Sequence, residues 1–124
     1  MEQSIKSYRD LLAWQRARAL VKEVYLMTAT FPVGERFGLV SQMNRSAVSI
    51  PSNIAEGYGR STIQDYLHFL RIARGSSYEL ETQATLAEDL GLASVEQSIR
   101  LNTLLQEVIR LLQGLIAALE RNRQ

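Results

Sequence analysis

Three sets of helix breakers divide this chain into four stretches, and each stretch repeats its apolar residues at helical spacing. The breakers are Phe31-Pro32-Val33-Gly34, Gly57-Tyr58-Gly59 and Gly91. Proline biases the residue before it away from helix, and a glycine just past a helix accepts the left-handed conformation that ends one. The punctuation therefore predicts helices over roughly residues 8–30, 36–58, 62–90 and 94–120. Long amphipathic helices joined by short connections imply an all-α, up-down-up-down four-helix bundle. At 124 residues, without repeats or low-complexity runs, residues 1–124 make one domain.

Each stretch has an apolar face. Ala13, Ala17, Leu20, Val21 and Val24 line the first, with Trp14 and Tyr25 on its shoulder. Leu39, Met43, Ala47, Ile50 and Ile54 line the second. Pro51 lies within that pattern, where it removes one backbone donor, frees the Ala47 carbonyl and is expected to kink the helix. Ser49, Ser52 and Asn53 stand close enough to satisfy freed groups. The third helix opens at Ser61-Thr62, with Asp65 placed as a capping-box acid, and buries Tyr66, Phe69, Leu70, Ala73, Ser77, Leu80, Ala84 and Ala87. The fourth opens on a second capping box, Ser94 to Gln97.

The fourth helix carries two apolar stripes side by side. One is Leu101, Leu104, Val108, Leu111 and Leu115, and the other is Leu105, Ile109, Leu112, Ile116 and Leu119. One bundle face needs only one of them, so Leu105, Ile109, Leu112 and Ile116 are expected at an interface between copies. Leu12, Ala19 and Leu26, seven residues apart on the first helix, extend that expectation. Arg45 and Glu56 on the second helix, three turns apart, are expected to pair across the same boundary. These surfaces predict a homo-oligomer.

Catalytic and cofactor chemistry finds little support. Without cysteine there is neither disulfide nor thiolate metal site. Asp65-x-x-His68 has the spacing of a di-iron ligand pair, but such sites need two copies and His68 is the only histidine. No G-x-S-x-G elbow and no G-x-x-x-x-G-K-[ST] phosphate loop occurs. The expectation is a chain that is not an enzyme and holds no metal and no cofactor. The N-terminus lacks the apolar run of a secretory signal, and the uncharged run Leu111 to Leu119 is too short for a bilayer, so no membrane is expected and a cytoplasmic location is.

Binding is the remaining class. Net charge is only +1, yet the fourteen basic residues include just two lysines, Lys6 and Lys22. Guanidinium groups fork onto phosphate and stack on rings. On the third helix Leu67, Arg71, Arg74 and Tyr78 share one face, and Arg60 precedes it. On the first, Arg18 and Lys22 lie one turn apart, with Arg9 and Arg16 on the other flank. Arg18, Lys22, Arg60, Arg71 and Arg74 are the candidate phosphate contacts, and Tyr78 is a candidate stacking ring. Symmetry in an oligomer would multiply such small patches.

Several strings point one way: Leu12-Ala13-Trp14-Gln15, Phe31-Pro32, Phe37-Gly38-Leu39, Gln42 to Gly57, and Phe69-Leu70-Arg71-Ile72-Ala73-Arg74-Gly75-Ser76. The stretch Ser49-Ile50-Pro51-Ser52-Asn53-Ile54-Ala55-Glu56-Gly57 is the most specific of them. Over roughly Tyr8 to Leu92 the chain resembles the 23S rRNA intervening-sequence protein family of bacterial four-helix-bundle proteins. The resemblance implies a left-handed bundle assembled as a homopentameric ring. A related branch of that family, the accessory protein of diversity-generating retroelements, is similar in fold and binds nucleic acid and a reverse transcriptase through a strongly basic ring. Two expectations follow. The first is a non-enzymatic oligomer that binds structured RNA or other nucleic acid. The alternative is a ring that scaffolds a protein partner and touches no nucleic acid.

Overall fold

Helix ends fall where capping chemistry is available. The computed structural model describes residues 4–122. Its four helices are α1 (Leu12–Thr28), α2 (Leu39–Tyr58), α3 (Ile63–Asp89) and α4 (Val95–Arg121), and no strand occurs among the described residues. At α4 the Ser94 hydroxyl accepts from the Gln97 amide while the Gln97 side chain accepts from the Ser94 amide, a complete capping box. At α3, Thr62 accepts from the Asp65 amide, but no reciprocal bond from Asp65 accompanies it. Gly91, at φ 69°, closes α3. Its amide donates to Glu88 and that of Leu92 to Ala87, the paired bonds of a Schellman motif.

The first helix starts later than its apolar spacing suggests. Tyr8–Asp10 form a separate 3-10 turn with their own capping box, Ser7 to Asp10, and Leu11 is extended before α1 begins. The Gln15 amide donates to the Arg9 carbonyl at 2.8 Å and holds this turn against α1. A second 3-10 turn, Val33–Glu35, fills the connection to α2.

α2 runs through Pro51 without interruption. Ser52 donates to the Val48 carbonyl at 2.7 Å, and Asn53 to the Ser49 carbonyl at 2.8 Å. Both polar neighbours of the proline thus serve the turn around it, although neither reaches the Ala47 carbonyl.

Each helix packs on the next, and α1 packs on α4, which closes the layer into a square. Partners run in opposite order along paired helices. Arg71 meets Glu120 and Tyr78 meets Gln113 between α3 and α4, while Arg16 meets Glu107 and Glu23 meets Arg100 between α1 and α4. The α2–α3 seam is the closest. A Cβ on Gly57 would sit 2.8 Å from the Cβ of Phe69 and 3.1 Å from the Tyr66 ring, so only glycine fits. Ser49 and Ser76 share a 2.8 Å hydrogen bond along the same seam.

The core corrects the reading of α4. Leu105, Ile109, Leu112 and Ile116 are buried within this subunit, together with Leu101 and Val108. They pack against Leu20, Met43, Leu70 and Leu80 in one cluster and are not surplus surface. Leu104, Leu111, Leu115 and Leu119 are half-buried at its edge, so both stripes contribute to this subunit's core and only their outer members approach solvent. Helical period alone places two adjacent stripes and does not say which faces inward.

Candidate nucleic-acid interface

Three grooves run along the outside of the α1–α2 pair and merge. The first, 480 Å³, is lined by Tyr8, Arg9, Trp14, Arg18, Val48, Pro51 and Ser52 among others. The second, 400 Å³, shares Arg18 with it and adds Lys22 and Tyr25. The third, 530 Å³, shares Tyr25 and continues to Arg36, Phe37 and Arg45. Together they form one surface from the 3-10 turn at Tyr8 to the α1–α2 connection.

Its electrostatics differ from the chain's near-neutral total. Arg9, Arg18, Lys22, Arg36 and Arg45 are all exposed, and among the described residues none is in an ion pair. Among the described residues no carboxylate lines any of the three grooves. Three of the four acids of the neighbouring segments are engaged elsewhere, and Glu35, directly before Arg36, is half-buried and in no ion pair among the described residues. Asp10 accepts from the backbone amides of Lys6 and Ser7, Glu23 pairs with Arg100 at 2.9 Å, and Glu56 pairs with Arg60 at 3.4 Å.

Aromatic rings lie between these cations. Tyr25 is 48% exposed and Phe37 89%, unusual for large rings with no partner in the subunit. Trp14 packs edge-on against Tyr8, with centroids 5.2 Å apart, and carries the Arg9 and Arg18 guanidiniums 5.3 and 5.7 Å from its ring. Arg36 lies 5.5 Å from the Phe37 ring. Each such contact contributes about 0.5–1 kcal/mol at exposed sites. That suffices to orient a guanidinium without consuming its hydrogen-bond donors.

The residues marked by the sequence divide between this surface and others. Arg18 and Lys22 belong to it. Arg60 lies at the end of α2, paired with Glu56 and stacked 4.7 Å from the Phe69 ring. Arg71 turns to α4 and meets Glu120 at 2.7 Å, and the Tyr78 hydroxyl accepts from Gln113. Arg74 is half-buried and makes no ion pair among the described residues. Leu67, grouped with these by spacing, is fully buried. α1 and α3 lie diagonally across the square, so the two basic clusters stay on opposite corners of it. Leu12 and Leu26 are exposed and Ala19 is half-buried, as an outer stripe requires. Arg45 reaches Ser41 in its own helix and the exposed Glu56 meets Arg60 at 3.4 Å, and the two are not paired with each other within this subunit.

Arg36 and Phe37 escaped the sequence reading because they follow a 3-10 turn, outside any helical period. Arg9 was visible only as a flank of α1, and Arg45 only as a partner for Glu56. The available signal was the register that puts Arg18 and Tyr25 seven apart on α1, facing Arg45, Val48 and Ser52 on α2.

No group of His, Asp and Glu among the described residues is placed to hold a metal ion, and no helix there is long and apolar enough to cross a membrane. Among the described residues Tyr66 is the one titratable group clearly displaced, its hydroxyl pushed up to about 12 by burial and then by the neighbouring Tyr58. That shift makes it a poorer proton donor and a packing residue of the α2–α3 seam.

Comparison with known proteins agrees with this architecture. A solved structure described as a protein of unknown function from the S23 ribosomal protein family, from Bacteroides thetaiotaomicron VPI-5482, is similar with a TM-score of 0.78. The two chains are 24% identical, and the match covers 85% of this chain and 98% of that one, which speaks for a shared fold. No curated protein matches the sequence. The family model described as 23S rRNA-intervening sequence protein matches residues 9–114, from the 3-10 turn through most of α4. With its four helices accounted for over that length, this chain belongs to the 23S rRNA-intervening sequence protein family.

Proposed function

We propose that this protein is a non-enzymatic module that binds structured RNA through the α1–α2 face. One observation carries the reading: among the described residues, five exposed cations in no ion pair line adjoining grooves with Trp14, Tyr25 and Phe37, and no carboxylate lines them. Phosphate contact needs unpaired guanidinium and ammonium groups, and base stacking needs accessible rings. The family's description refers to 23S rRNA, which favours RNA as the partner class.

The subunit in this proposal is an up-down-up-down, left-handed bundle that works in the cytoplasm as a homo-oligomeric ring. Five copies is the number implied by the sequence resemblance. A 330 Å³ apolar groove between Leu11, Leu12, Leu111, Gly114 and Leu115 supports association along the α1–α4 edge. Each added copy repeats the cationic face, and linked weak contacts gain affinity through effective concentration.

A salt titration of RNA binding tests the reading. Five phosphate contacts predict a slope of log affinity against log salt of about −4. Binding that ignores salt would sink it. The competing reading is a protein scaffold, favoured by the exposed Leu86, Leu90, Val95 and Ile99 at the α3–α4 corner. Co-purification of a stoichiometric protein, with no RNA retained at low salt, would decide for that alternative.

A further inference from the structure

The groove at Tyr8 and Trp14 differs from the rest of the cationic face in shape and chemistry. It is 480 Å³, large enough for one nucleotide, and it is the only one of the three grooves that combines an indole, a phenol and two guanidiniums. Its floor is apolar, formed by Val21, Val48, Pro51 and Ala55. Pro51 contributes a ring surface with no N–H to satisfy, and Ser52 has committed its hydroxyl proton to the Val48 carbonyl at 2.7 Å. Apolar sides with cations at the mouth suit a flat ring carrying a negative charge.

The geometry also explains why these residues are held ready. The 3-10 turn bearing Tyr8 and Arg9 is fixed by the Ser7–Asp10 capping box and by the Gln15 bond to the Arg9 carbonyl. Tyr8 stands edge-on to Trp14, and the two guanidiniums rest against the indole. Among the described residues none of the four side chains makes a hydrogen bond, ion pair or ring contact with α3 or α4. A site built this way loses little side-chain freedom when it is filled.

We infer that this groove takes one unpaired nucleotide of the bound RNA, its base against Trp14 and Pro51 and its phosphate between Arg9 and Arg18. The inference rests on the reading of the α1–α2 face as an RNA surface, and narrows it. Paired bases are hidden in a helix, so only an overhang, bulge or loop can present a ring here. The protein would then prefer a hairpin with an unpaired end over the same hairpin with a blunt end.

Trp14 is the only tryptophan in the chain, so its emission reports this groove directly. The experiment titrates the full chain with a blunt RNA hairpin and with the same hairpin carrying a two-nucleotide 3′ overhang, following both anisotropy of labelled RNA and tryptophan emission. The expected result is about tenfold tighter binding of the overhang form, with emission quenched by that form alone. Arg18→Gln should weaken the overhang form by about tenfold and the blunt form by only about threefold, so that the preference between them narrows. Equal affinities with unchanged emission would overturn the nucleotide site while leaving the surface reading intact. Failure of both hairpins to bind would overturn the two together. Adenosine monophosphate is the third arm, and quenching by micromolar nucleotide without RNA would overturn the assignment to RNA in favour of a free nucleotide.

Discussion

The α1–α2 face and the α3–α4 face use arginine in opposite ways. On α3 and α4, Arg71 is spent on Glu120, while Glu81 meets Gln106 and Tyr78 meets Gln113, a set of contacts bridging two helices. On α1 and α2, Arg9, Arg18, Lys22, Arg36 and Arg45 bridge nothing and lean on aromatic rings or solvent. A net charge of +1 conceals this division, because no carboxylate among the described residues lines the grooves of the α1–α2 face. Total charge is thus a poor guide to nucleic-acid binding in a small domain, and the pairing of each charge is a better one.

If the α3–α4 side is the structural one, its substitutions should cost stability, and the largest cost lies in its interior. Leu112→Ala should destabilise the subunit by about 3 kcal/mol, against about 1 kcal/mol for the half-buried Leu111→Ala. Chemical denaturation at two protein concentrations checks this, since the loss at Leu112 should not depend on concentration. Gly57→Ala should cost about 2 kcal/mol, because overpacking against Phe69 outweighs the gain in helix propensity. Gly114→Ala, with open space around its Cβ position, should instead stabilise a lone subunit by about 0.5–1 kcal/mol. Thermal melts separate the two.

Tyr66 gives a pH test of the α2–α3 seam. Its folded pKa, about 12, is raised from 10.0, so the native state holds this proton more tightly than the unfolded chain. Stability is therefore unaffected below pH 10 and falls as pH rises from 10 to 12. Discounted for partial exposure, the loss is about 1 kcal/mol, and Tyr66→Phe should flatten it. The smallest effect sharpens the comparison itself. A double-mutant cycle on Arg71 and Glu120 should return about 0.5 kcal/mol of coupling, since both side chains are partly exposed. Arg45→Gln on the other face should leave the melting temperature unchanged, and Arg18→Gln should lower it only by what its Trp14 contact contributes.

Helix number and punctuation were legible in sequence because prolines, glycines and caps act locally. Gly91 and the Ser94–Gln97 box do what their residue types imply. The break at Leu11 was not legible, because Ala13 and Ala17 continue a period that Tyr8 to Asp10 do not share as α-helix. Which stripe of α4 turns inward depends on how α1 and α3 flank it, a tertiary fact that placed Leu105, Ile109, Leu112 and Ile116 inside. The candidate site was half legible for the same reason. Arg18 and Lys22 could be marked from α1 alone, but their company on α2 and the 3-10 turn exists only after packing. Arg71, Arg74 and Tyr78 do lie in register, yet that register is the edge of the α3–α4 seam, where Leu67 enters the core.

The most direct test compares RNA affinity for two variants of the full chain. One carries Arg18→Gln, Lys22→Gln, Arg36→Gln and Arg45→Gln, and the other carries Arg71→Gln and Arg74→Gln. The account predicts a loss of about a hundredfold or more for the first, with a salt slope shallower by about 3, and less than about threefold for the second. A larger loss from the α3 pair than from the α1–α2 set would contradict it.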